Sequence, residues 1–140
     1  MAKNEYNKYL KRVPLFRDLD NRELAAVGAV VTDLRFNAGE VLIRQGDSAH
    51  EMFIVTVGEL EVTRDGTHIA DLGPGSFAGE MAVLARTQRN STVVAKTDVE
   101  VLHIDGRSMQ TLFADVPEIA VKMLSVVAGR VVENSDHHAH

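Results

Sequence analysis

The sequence has no cysteine and no tryptophan, and its 140 residues include only five phenylalanines, two tyrosines and three prolines. Without cysteine there is no disulfide framework, no thiolate metal centre and no cysteine nucleophile. Positive charge is also in short supply: 15 Lys and Arg stand against 20 Asp and Glu, a formal charge of −5. That balance argues against a nucleic-acid surface, so no nucleic acid is expected as a partner. No apolar run approaches the roughly 18 residues of a membrane span. Met1 to Tyr6 also lack a signal-type apolar stretch. The expectation is a cytoplasmic domain with no membrane partner. Apolar residues make up 45% of the chain, and a chain of this length buries about 70% of its unfolded surface as one domain.

Hydrophobic spacing divides that single domain, residues 1–140, into four stretches. Residues 4–30 read as helical. Tyr6, Leu10 and Val13 suit a helix that Pro14 ends, and Asp20 with Glu23 forms a capping box ahead of Leu24, Val27 and Val31. Residues 31–104 read as strands and turns, with apolar pieces at 41–43, 52–55, 60–62, 68–70, 92–94 and 99–102. Glycines lie between them, Asp65-Gly66 giving a strong hairpin signal. Strands at this spacing, with no crossover helices, predict a mainly β fold, a sandwich, barrel or roll. Residues 106–134 read as two C-terminal helices, started by Asp105 and by the box Asp115-Val116-Pro117-Glu118. Residues 135–140 read as a tail whose His137, His138 and His140 lack the further ligands a metal shell needs.

The chemistry concentrates between Gly75 and Thr92. A glycine-rich approach to a helix start exposes free N–H groups and the positive end of the helix dipole, which suits an anion. That start falls near Gly79 to Ala82, and Arg89 could bring a guanidinium fork to the same anion. Glu80, an acceptor beside a phosphate, makes sense for a ligand that also carries hydroxyls, such as a sugar phosphate. Catalysis is not expected. His50, His68 and His103 are isolated in the strands, and neither a nucleophile elbow nor a Walker A loop is present.

The stretch resembles the phosphate-binding cassette of cyclic-nucleotide-binding domains, F-x-G-E, an apolar helix, a loop and then R-x-[AST]. Phe77, Gly79, Glu80, Ala82, Leu84, Arg89 and Ser91 fall on that pattern, and the likeness extends over residues 6–134. It implies a mainly β, antiparallel β-roll of jelly-roll type that serves as a non-catalytic sensor of a 3′,5′-cyclic nucleotide, cAMP ahead of cGMP, with no cofactor and no metal. The implied roles are the ribose 2′-hydroxyl for Glu80, the cyclic phosphate for Arg89, and backbone donors at Gly79, Met81 and Ala82. Asn90, next to the arginine, departs from the usual Ala, Ser or Thr. The resemblance also implies that the last helix closes over the base, with Arg130 and neighbouring Val127, Val131 and Asn134 as the candidate contacts. Apolar residues beyond one stripe on that helix suggest a homodimer or an effector protein as partner. The alternative is a degenerate β-roll that serves as a protein-interaction scaffold without binding nucleotide.

Overall fold

The computed structural model describes residues 3–48, 50–80 and 88–138, with side chains for 6–48, 50–80 and 88–129. The chain divides into two compact units, residues 30–110 and residues 1–29 with 111–140.

Residues 30–110 hold the strands β1 (Thr32–Phe36), β2 (Val41–Ile43), β3 (Met52–Val57), β4 (Leu60–Arg64), β5 (Thr67–Leu72), β6 (Phe77–Ala78), β7 (Thr92–Ala95) and β8 (Val99–Ile104). They form two four-stranded sheets, ordered β1-β8-β3-β6 and β2-β7-β4-β5. Neighbouring strands run antiparallel throughout, so this is the expected antiparallel β-roll. Its core draws on both sheets: Phe53, Val55, Ala78, Val99 and Val101 from one, Leu42, Ile43, Leu60, Val93 and Ala95 from the other. At the β4–β5 hairpin, Asp65 (φ 52°) and Gly66 (φ 79°) both take positive φ. Consecutive positive φ values match the right-handed twist of the flanking strands.

Two strands escaped the sequence reading. In β1, the short alternation Thr-Asp-Leu-Arg-Phe becomes a strand through its pairing with β8, Leu34 opposite Val101. In β6, two residues between glycines pair with Phe53 and Ile54.

The other unit contains α1 (Lys3–Leu10), a 3-10 turn (Pro14–Phe16), α2 (Asn21–Gly28) and α4 (Pro117–His138). The helix α3 (Gly106–Asp115) spans the boundary between the units. α2 starts with the expected reciprocal box: the Glu23 backbone N–H donates to Asp20 Oδ1 at 2.8 Å, and Asp20 N–H donates to Glu23 Oε1 at 2.9 Å. Lys122 Nζ of α4 donates to the same Glu23 oxygen at 2.6 Å. Because Glu23 is buried, both donors compensate a carboxylate removed from water.

Two helix limits differ from expectation. α4 begins at Pro117, so Val116 and not Asp115 precedes it, because proline's fixed φ and missing N–H suit the first helical position. The helix then runs to His138, through the stretch expected as a tail. Ser135, Asp136 and His137 contain no proline or glycine to stop it, and propagation costs far less than nucleation.

Candidate functional site

Arg89 is fixed first through its backbone. Its N–H donates to the Asp47 carbonyl and its own carbonyl accepts from Gly46 N–H, both at 2.8 Å. Gly46 is one of the glycines read between the strands, and its turn, Gln45-Gly46-Asp47, is the bracket for the arginine. The side chain, only 5% exposed, ends in two carbonyls: Nη1 donates to Gly79 O at 3.3 Å and Nη2 to Glu51 O at 2.5 Å. A guanidinium has five N–H donors in a planar fork, and these two bonds fix the direction in which that fork points. Burial pushes its pKa below the ordinary arginine value, while the charges of Glu51, Glu80 and Asp47 pull it back up. It stays a cation across the physiological range.

Gly79 makes this arrangement possible. Its φ is +90°, and a Cβ placed there would lie 2.5 Å from Glu51 O and 2.8 Å from Arg89 Nη1. Glycine is therefore required twice over, for its conformation and for the space the arginine occupies. Phe77 is buried in β6 opposite Ile54, a place that sets the path of the chain. Glu80 is half-buried and in helical conformation, and its charge reaches Arg89.

Beyond Arg89, the exposed Asn90 and the buried Ser91 are braced locally. Ser91 Oγ donates to Asn90 Oδ1 at 3.1 Å, and Arg64 Nε donates to Asn90 O at 3.0 Å. Gln45 makes a reciprocal pair with Asp65, through Nε2 to Oδ1 at 2.8 Å and from the Asp65 N–H to Oε1 at 2.9 Å. The structure thus brings together Gly79, Glu80 and Arg89, with Asn90 and Ser91 continuing from the arginine. Met81 and Ala82 lie outside the described residues. Arg130 lies on α4, its side chain outside the described set.

The sequence reading missed Asp47, Glu51 and Arg64. The first two bond Arg89 through backbone carbonyls and also act on it by charge, but nothing local in the sequence places these carboxylates, about forty residues earlier, beside the arginine. Arg64 closes the β4 strand ahead of the Asp65-Gly66 turn, and only the pairing of β4 with β7 brings it to Asn90.

Residues 33–116 match the family described as cyclic nucleotide-binding domain. A putative potassium channel protein of Rhodopseudomonas palustris is 35% identical over 88% of this chain and 31% of its own length. The cAMP-dependent protein kinase regulatory subunit of Schizosaccharomyces pombe is 27% identical over 96% of this chain and 33% of its own. Among solved structures, the N-terminal domain of a transcriptional regulator from Streptomyces coelicolor A3(2) superposes with a TM-score of 0.76 at 29% identity, covering 91% of this chain and 95% of that one. The chain belongs to the cyclic nucleotide-binding domain family. It is a regulatory binding module, and the domain by itself is not an enzyme. It spans about a third of the length of the curated relatives quoted above. Among the described residues, no helix is long and apolar enough to cross a membrane.

Proposed function

We propose that this domain senses cAMP in preference to cGMP, with Arg89 holding the cyclic phosphate and Glu80 the ribose 2′-hydroxyl. The observation that carries this reading is Arg89 itself, a buried cation aimed by two carbonyls beside the glycine turn at Gly79. Burying a guanidinium is costly unless its charge is compensated, and an anionic ligand adds to the compensation that the nearby carboxylates provide. The preference for cAMP follows the S. pombe relative, a cAMP-dependent kinase subunit.

Occupancy is passed on through α4. Its Val121 and Leu124 are 64% and 48% exposed, and this spacing fits a helix seam with a second copy or an effector protein. Titration calorimetry with both cyclic nucleotides tests the ligand. Arg89→Ala should weaken cAMP binding by about 2–4 kcal/mol through loss of a charge-assisted pair. An unchanged affinity would remove Arg89 from the site. Glu80→Ala should erase discrimination against 2′-deoxy-cAMP, and a discrimination that survives would remove Glu80 from the ribose. Sedimentation with and without cAMP tests the output: a single unchanged monomer would count against a second copy on α4.

A further inference from the structure

We infer that His103 is a positioning residue for the phosphate-binding arginine, acting through Glu51; this rests on the reading of Arg89 as the phosphate ligand. Half of the arginine's aim comes from the Glu51 carbonyl, 2.5 Å from Nη2. Glu51 lies just before β3, where strand pairing begins at Met52 opposite Ile104. A residue at the start of a strand is weakly held by the ladder alone, so something else must fix its carbonyl.

The side chain supplies that anchor. Glu51 Oε2 lies 2.5 Å from His103 Nε2. An ionised carboxylate only accepts, so Nε2 carries the proton and donates. The register explains the meeting. Phe53 stands directly opposite His103, and Glu51, two residues before Phe53, points to the same face of the sheet. Glu51 is thus the diagonal neighbour of His103, a distance long side chains can bridge.

His103 is itself well fixed. It lies on β8, paired on both sides by β1 and β3. Its ring packs on Phe53 with centroids 5.3 Å apart, and its side chain is 17% exposed against 35% for Glu51. The link therefore runs from an interior strand through an imidazole and a carboxylate to a carbonyl, and from there to the guanidinium.

The test measures cAMP and adenosine binding by calorimetry, with thermal unfolding of each variant as the check on folding. His103→Leu should weaken cAMP binding about five- to tenfold, the worth of an ordinary hydrogen bond felt indirectly through Glu51. Adenosine, which lacks the phosphate, should bind as it does to the unaltered protein. His103→Gln, which keeps an N–H donor, should recover most of the cAMP affinity. In an Arg89→Ala background, His103→Leu should have no further effect.

Glu51→Ala provides a second route, at a half-exposed position that folding tolerates more readily. Judged by charge alone, removing a carboxylate beside an anion site tightens anion binding; under this inference cAMP binding weakens instead. The inference is overturned by tighter cAMP binding in Glu51→Ala, by equal losses for cAMP and adenosine in His103→Leu, or by additive losses with Arg89→Ala. If Arg89→Ala alone leaves cAMP affinity intact, the underlying phosphate reading fails and takes this inference with it.

Discussion

Gly79 and Gly39 share nearly the same backbone conformation, with φ of +90° and +92°, yet they are constrained to different degrees. Among the described residues, no heavy atom beyond its chain neighbours lies within 4 Å of a Cβ added at Gly39, whereas at Gly79 the Cβ would meet the Glu51 carbonyl and the Arg89 guanidinium. Gly39→Ala should therefore cost only the left-handed conformation, about 1–2 kcal/mol. Gly79→Ala should cost that amount plus displacement of the arginine, so it lowers the unfolding midpoint further and weakens cAMP binding as well. Thermal unfolding and calorimetry on the two variants separate the effects. Equal losses of stability, with binding intact in both, would show that the close approach to Arg89 has no energetic weight. The glycine was legible in the motif as part of a phosphate cradle. Its second task, leaving room for Arg89, depends on β6 lying beside β3, which no local pattern encodes.

Helix starts show where sequence grammar holds and where it slips. Asp105 was readable as a cap, and it accepts from the Ser108 N–H at 2.8 Å and the Ser108 hydroxyl at 2.9 Å. These bonds, the backbone one first, hold its carboxyl below the ordinary aspartate value. Asp105→Ala should cost about 1 kcal/mol of stability at neutral pH. Because the folded pKa is the lower one, the contribution is present above the unfolded value of about 3.9 and fades as pH falls through the folded value. The deficit of the variant should shrink in acid unfolding curves, and a deficit independent of pH would refute the ionic cap. Asp20 and Glu23 were equally legible, since a capping box is contained within four residues. Their third partner, Lys122, was not, because it comes from another helix. Asp115 was misread because proline at position 117 outcompetes an acidic cap two residues earlier. Helix periodicity and turn glycines are local signals; β1 and β6 are strands because of their partners.

For the whole molecule, ligand binding is linked to stability. A ligand that binds only the folded chain stabilises it by about 2.7 kcal/mol at a concentration one hundred times its dissociation constant. Thermal unfolding should therefore shift upward with cAMP, and Arg89→Ala should abolish most of the shift. No shift in the unaltered protein would argue against binding. The arginine and glutamate of the site could be read from a motif, while Glu51 and His103 could not, because their meeting depends on the register of strands about fifty residues apart in sequence. That same register governs how the chain is made. β8 pairs with both β1 and β3, and β7 with both β2 and β4. On the ribosome, a nascent chain that has not yet emerged past Val99 can form neither pairing of β8. Arg89 is thus synthesised before β8, and the β3–β8 register that places Glu51 beside it closes only once Ile104 has emerged.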